Sequence, residues 1–254
     1  MKKAKERFLI TIITVALMIT IVLSNVVSAA RISFIGTANT TASNPTSGDF
    51  TLPAGWVAGD VAVFWWYTAT FDKTLVAGTP WGITSKQDVN SSGFGHIFIG
   101  YRTLAAGDST FGWTSSSAVN ATTIWGTSVF RGVNRSGDPF EAQSGAPATF
   151  TNTSSPNPPP VTTITNGAWV IPIFGKNNDY STITVPTGYT SAGENSSTTG
   201  SDASAGVAYR EIASIGTEDP GAWTLGGGAS DNGFVWTGAL TPAAENAVFF
   251  GTNL

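Results

Sequence analysis

Val61 to Thr70 reads VAVFWWYTAT, a run of aromatic, β-branched and small residues that suits a pleated, packed surface. Strand alternation puts Val61, Val63, Trp65 and Tyr67 on one face and Ala62, Phe64 and Trp66 on the other. Both faces are apolar, whereas one face of a sandwich strand ordinarily meets water. Something must therefore cover the second face. The options are a connecting loop, the C-terminal Ala247-Val248-Phe249-Phe250 segment, another protomer, or a sugar stacked on Trp66.

Further strands flank this one. Ile32 to Ile35, Gly95 to Leu104 and Thr122 to Val133 share its character, as do Ala168 to Phe174, Gly206 to Ala213 and Asn232 to Leu240. Between them lie turns rich in Gly, Pro, Asn, Asp, Ser and Thr, and no amphipathic helical period is long enough to count. The expected fold class is all-β, an antiparallel, jelly-roll-like β-sandwich over residues 31–254.

The two series of strands echo each other. Pro80-Trp81-Gly82-Ile83-Thr84-Ser85 returns as Pro186-Thr187-Gly188-Tyr189-Thr190-Ser191, 106 residues later. Tyr101-Arg102 returns as Tyr209-Arg210, 108 later, and Trp113 as Trp223, 110 later. This predicts one sandwich made of two pseudo-repeated halves, at about 31–150 and 166–254, because two copies are too few for a solenoid. The Pro-rich segment Thr151 to Thr165 is then a stiff strap between them.

The first thirty residues read as an export signal. Lys2, Lys3, Lys5 and Arg7 precede the uncharged run Phe8 to Leu23, and Val27-Ser28-Ala29-Ala30 supplies small residues for cleavage after Ala29 or Ala30. A retained signal anchor, with an apolar N-terminal helix, is the alternative, because the run approaches the roughly 17 residues that span a bilayer. The location is extracellular or at the cell surface, with membrane contact only through this segment if it is uncleaved.

Composition narrows the function. The 254-residue chain carries 12 basic and 16 acidic residues, 29 Gly, 9 Trp and no Cys. Removal of the signal takes 12 and 16 to 8 and 15, a net charge of −7 without any basic cluster. That excludes a nucleic-acid backbone as partner. The missing cysteines exclude disulfides and thiolate chemistry. Six Asn-x-Ser/Thr sequons (Asn39, Asn90, Asn120, Asn134, Asn152 and Asn195) are compatible with glycosylation but expected by chance in so Ser/Thr-rich a chain.

A resemblance adds to this reading. The run Pro53-Ala54-Gly55-Trp56-Val57-Ala58-Gly59-Asp60-Val61-Ala62-Val63 resembles the opening of a β-sandwich module of bacteriophage tail and bacterial or archaeal surface proteins, in which a Gly-Asp pair precedes the first core strand. Tyr101-Arg102, Phe130-Arg131-Gly132-Val133 and Ala239-Leu240-Thr241-Pro242-Ala243 are similar to its later landmarks, in order. The resemblance implies a jelly-roll-like structural or adhesive module without catalytic residues. The export signal departs from phage tail components and turns the expectation toward a cell surface.

Residues placed for catalysis are few. The only histidine, His96, alternates with apolar residues in Gly93 to Ile99 and reads as a structural strand residue. No nucleophile elbow, zinc-protease helix or phosphate loop occurs. The acids of Gly48-Asp49, Gly59-Asp60, Gly107-Asp108, Gly137-Asp138 and Asp219-Pro220 sit in turn contexts. Glycoside hydrolysis would need two of the fifteen acids beyond residue 30 to face each other across a cleft. No cofactor is implied, and calcium is possible in these loops but unsupported by any spaced acidic pattern.

The expectation is therefore a non-enzymatic secreted or surface protein with a structural or adhesive role. Its partners are itself, as a self-assembling subunit, or surface glycans. Trp66 and Trp81 are the candidate glycan contacts. Ile32, Phe34, Trp65, Phe249 and Phe250 are the candidate assembly contacts, with the segment Arg31 to Asn44 either closing its own sandwich or donated to a neighbour. A carbohydrate-binding module is the alternative, and a glycan-active enzyme the third option.

Overall fold

The computed structural model describes residues 31–70, 73–76, 82–116, 121–197, 202–227 and 231–244. The export segment, Trp81, Phe249 and Phe250 lie outside them. The first strands are β1 (Ser33–Ser43), β2 (Ser47–Thr51), β3 (Val61–Thr68), β4 (Thr84–Ser91), β5 (Gly95–Thr103), β6 (Thr110–Thr114) and β7 (Thr122–Arg131). The chain continues through β8 (Phe140–Gln143), β9 (Ala148–Thr153), β10 (Val161–Thr163), β11 (Ala168–Asn177) and β12 (Thr182–Thr184). It ends with β13 (Thr190–Ser197), β14 (Ala203–Ile212), β15 (Gly216–Glu218), β16 (Thr224–Gly226) and β17 (Asp231–Leu240). Arg31 to Ala243 forms one unit.

Two main antiparallel sheets result, ordered β1-β7-β3-β5-β4 and β13-β14-β11-β17-β8, with β9 also on β17. The fold is all-β and consistent with a β-sandwich. Each main sheet is drawn from one stretch of chain. The strands do not alternate between the sheets as they would in a jelly roll.

Register carries the echo far past the matched motifs. Thr84 faces Tyr101 and Thr190 faces Tyr209, and each pair is followed by a bulge, at Ser85/Gln87 and at Ser191/Gly193. Phe34 faces Phe130 before a bulge to Gly36, and Phe140 faces Leu240 across a shift that brings Ala142 to Ala239. The chain thus passes to the second sheet between Val133 and Phe140. The Pro-rich strap expected to join the halves lies inside the second one, because β8 and β9 precede or overlap it and already pair with β17.

The inner faces of both sheets pack on each other. Val63, Trp65, Tyr67 and Phe130 from one side meet Ile171, Ile173, Val207 and Trp236 from the other. Full burial contributes roughly 1.5–3 kcal/mol for each such side chain. The outer face of β3 is covered by the two-stranded pair β2–β6: Ala62, Phe64 and Trp66 pack under Phe50, Phe111 and Trp113. On the other sheet Val170, Phe174 and Val235 pack under Tyr180, Trp223 and Leu225, supplied by the pairs β10–β15 and β12–β16 and their flanks. Small flaps of the same chain account for the doubly apolar strand at Trp65-Trp66 and for much of the tryptophan excess.

Both ends of the unit meet at one place. Gly132 adopts φ +77°, and a Cβ there would collide with the Arg31 carbonyl. Ala243 donates its N–H to the Gly132 carbonyl at 2.7 Å, and Val133 bridges to Pro242. Only glycine fits so close an approach of the three chain segments.

Candidate functional sites

The structure does not leave Trp66 available to a glycan. Its ring is fully buried, edge-on to His96 at 5.1 Å and to Trp113 at 5.7 Å. Two of the assembly candidates are likewise internal. Trp65 is buried and donates its Nε1–H to Ser128 Oγ at 3.3 Å, and Ile32 is buried in the inter-sheet core. Phe34 is half-buried, with its ring 5.6 Å from Phe130 and 5.0 Å from Tyr209. Segment 32–43 closes its own sandwich, since β1 runs antiparallel along β7 of the same chain. Trp65, Trp66 and Ile32 are thus core and not contact surface, because the β2–β6 flap and the opposite sheet cover both faces of β3 and Ile32 packs between the sheets, while Phe34 is half-buried against that core.

His96 is a clamp. It is 3% exposed, its Nε2 meets the Asp88 carboxylate and its Nδ1 meets the Lys73 carbonyl at 2.9 Å. Both ring nitrogens are therefore engaged by oxygen acceptors that tie β4 and the segment after β3 to β5. Neither is turned toward a hydroxyl it could activate.

Four of the five acids expected in turns brace backbone, arginines or a lysine, whereas Asp49 lies inside β2, opposite Gly112 of β6. Asp60, 2% exposed, takes two hydrogen bonds from Arg131 and one from the Val57 N–H at 2.8 Å. Asp108 takes two from Arg102 at 3.0 Å and one from the Ala105 N–H. Burial works against that carboxylate, but the Arg102 and Ala105 hydrogen bonds hold its pKa below the usual range. In the second half Glu218 takes Arg210 Nη1 and Tyr189 Oη, each at 2.9 Å, so the Arg102–Asp108 joint recurs in kind. Asp138 binds Lys86 and the Phe140 N–H, and Asp219 takes the N–H of Gly221 two residues on.

Asp179 and Asp202 are a carboxyl pair joined by a side-chain hydrogen bond. Burial, then the neighbouring Asp179, raises the Asp202 pKa. Direct contact is closer than the roughly 5–5.5 Å of a retaining glycosidase or the 6.5–9.5 Å of an inverting one. Among the described residues no group of three or more His, Asp or Glu side chains is placed to hold a metal ion.

Sequence reasoning missed two buried lysines. Lys73 donates to the Pro45 carbonyl. Lys176 donates to the Thr153 carbonyl and to Tyr180 Oη, and its ammonium lies 4.6 Å from the Tyr180 ring centroid and 5.9 Å from that of Phe150. Both residues are fully buried, and burial lowers each pKa from 10.5 to about 8. The available signal was a lysine directly after the apolar run Ala168 to Gly175. Lys86, the remaining lysine beyond residue 30, has a side chain only 12% exposed.

No protein-family model, curated protein or solved structure matches this chain.

Proposed function

We propose that this chain is a non-enzymatic structural or adhesive protein of the cell surface, a rigid sandwich of two related halves displayed as a single unit. One observation carries the reading: the groups best able to do chemistry are engaged in bracing the fold. His96 clamps two strands, Lys73 and Lys176 hold the Pro45 and Thr153 carbonyls, Asp60 holds Arg131, and Asp108 and Glu218 hold arginines at matching joints.

The described surface favours this over a glycan platform at Trp66, which needs an exposed ring. Display as a single unit is supported by the edges of both sheets. β1, β4 and β13 each carry a bulge, and the β8 pairing is shifted, which twists an edge away from strand addition.

The test is incubation of residues 31–254 with a panel of polysaccharides and chromogenic glycosides and esters, read for released product and for co-sedimentation. The reading expects no turnover. Product formation abolished by Asp179→Asn or Asp202→Asn would overturn it in favour of an enzyme. Co-sedimentation with a soluble polysaccharide would favour the binding module.

A further inference from the structure

We propose that His96 is a proton-operated latch: as the imidazolium it holds the end of the edge strand β4 to the sheet, and on losing one proton it releases Asp88 while keeping its bond to the Lys73 carbonyl. This goes beyond the surface role, because it makes one edge of the sandwich answer to pH whatever the protein contacts.

A count of donors and acceptors carries the inference. The imidazole is almost fully buried, so water does not complete its hydrogen bonds. Nδ1 lies 2.9 Å from the Lys73 carbonyl oxygen, and Nε2 meets the Asp88 carboxylate. A carbonyl and an ionised carboxylate have no proton to give. A neutral imidazole has one N–H and one lone pair, so it serves one of these oxygens and turns a lone pair on the other. Only the imidazolium, with two N–H groups, donates to both. The closed latch therefore contains a proton that the neutral ring lacks.

The two acceptors differ in what they can do without that proton. The Lys73 carbonyl belongs to a fully buried residue, and a buried backbone acceptor left without a donor is costly. Residue 73 is also pinned from its side chain, since Lys73 Nζ donates to the Pro45 carbonyl just before β2. The Asp88 side chain is 50% exposed, so its carboxylate can turn to water instead. The remaining proton therefore stays on Nδ1, and the contact that opens is the one to Asp88.

The elements packed on the ring bring little other charge to it. Trp66 of β3 presents its ring edge-on at 5.1 Å, and Thr68 of β3 and Asn90 of β4 stand opposite His96 in the pairing registers. The Lys73 ammonium is directed at Pro45. Lys86, the other charged residue of β4, is held by Asp138, and Arg102 of β5 is held by Asp108.

What opens is an edge. β4 is the outermost strand of its sheet and covers β5, where residues 95–100 are buried. The first half of β4 is fixed independently, by Lys86 on Asp138 and by Gln87 Nε2 on Gln143 Oε1 and on the Gly145 carbonyl, each of the last two at 3.1 Å. The second half is tied through His96. Loss of the proton thus loosens residues 88–91 and leaves 84–87 in place. The sign follows: above the range in which Asp88 itself takes a proton, closure is fullest in acid and is lost as the pH rises through the titration of His96. A loosened β4 uncovers part of the β5 edge, the kind of backbone row that accepts a further strand.

His96 is the only histidine, so a nitrogen-15 label in histidine reports one ring. The full chain carrying that label is titrated from about pH 5 to about pH 9, across the ordinary range of histidine. The nitrogen shifts give the protonation of Nδ1 and Nε2, and amide hydrogen exchange, corrected for intrinsic rates, is followed in parallel. The proposal expects the imidazolium at the acid end and the Nδ1–H tautomer at the alkaline end. Over the same pH interval it expects a roughly five-fold or greater loss of protection at residues 88–91, and none at 84–87. Asp88→Asn keeps the shape, and its amide offers Nε2 either an acceptor or a donor, so that variant should hold its protection throughout. An Nε2–H tautomer in alkali overturns the proposal, as does a ring that titrates without any change in β4, or one that does not titrate in this range. A loss of protection that persists in Asp88→Asn overturns it too. None of these outcomes depends on whether the protein binds a glycan or turns over a substrate.

Discussion

Asp60 and Arg131, 71 residues apart, form a two-point ion pair, with Arg131 Nε donating to Asp60 Oδ1 and Arg131 Nη2 to Asp60 Oδ2, each at 2.9 Å. The pair joins the turn before β3 to the end of β7, and Arg131 also reaches the Gly55 carbonyl at 3.0 Å. The Gly59-Asp60 and Phe130-Arg131-Gly132-Val133 motifs, read separately in the sequence, are thus one joint. Asp60 is buried, whereas the Arg131 side chain is 42% exposed, so the two partners are not equivalent. Removing the arginine strands a buried carboxylate; removing the carboxylate leaves an arginine that water can solvate. Arg131→Met is therefore expected to lower the Tm more than Asp60→Asn, as measured by thermal unfolding of residues 31–254. The reverse order would show that the joint is held by something other than the pair.

Close packing at two central glycines gives a second expectation. A Cβ at Gly126 of β7 would overlap the Trp65 indole and come within 2.8 Å of Asn39 Cβ, and one at Gly175 of β11 would overlap the Tyr67 ring. Gly126→Ala and Gly175→Ala should each cost about 1–3 kcal/mol in denaturant unfolding, because the core has no room to give. Gly216→Ala meets nothing within 4 Å and should be near neutral. A tolerated Gly126→Ala would mean that the two sheets are less tightly seated than described.

Much of this core was legible in advance. The strong strands at 61, 95, 122, 168, 206 and 232 announced themselves because buried strands are rich in Val, Ile, Trp and Phe along their whole length. β4 and β13 were not legible. They are edge strands with sequences such as Thr84-Ser-Lys-Gln-Asp-Val-Asn-Ser91, and polar residues on an exposed edge carry no alternation to read. The joint between the halves was misplaced for a related reason. Phe34 and Phe140 occupy matching places in the two sheets, but nothing around them matches in sequence, while the prolines after Asn157 look like a linker. The sites fared less well than the fold: burial of Trp65 and Trp66 depends on flaps whose pairing no local pattern reveals.

Stability should respond to alkali in an unusual direction. Lys73 and Lys176 have pKa values of about 8 when folded against 10.5 in a free chain, so between those values the unfolded chain holds protons the folded one has released. Raising the pH through that window favours folding. Tyr180 is raised to about 12 by burial and then by Asp231 and Asp179, and Tyr67 and Tyr189 are raised as well, chiefly by burial. Above pH 10, where the phenols of the unfolded chain ionise, stability should fall again. Tm measured from pH 7 upward is expected to rise above pH 8, peak near pH 10 and then drop, and Lys176→Met should flatten the rise. A Tm that falls steadily from pH 7 would mean that the two amines are solvated.

The same lysines predict a labelling pattern. Residues 31–254 contain Lys73, Lys86 and Lys176, none of them free at the surface. Brief acetylation by an N-hydroxysuccinimide ester near pH 7.5, read by peptide mass spectrometry, should modify the N-terminal amine first, and all three lysines only after denaturation. Native acetylation of Lys73 or Lys176 at the rate of a free amine would contradict their burial.

The sandwich is closed by its own flaps, and His96, the two buried lysines and the turn carboxylates brace it. Size-exclusion chromatography with light scattering on residues 31–254, with negative-stain images of each peak, tests that closure most directly. The account predicts a monomer that stays monomeric as concentration rises, because every main-sheet edge is bulged or shifted in register. Filaments or sheets built by edge-to-edge strand addition would contradict it.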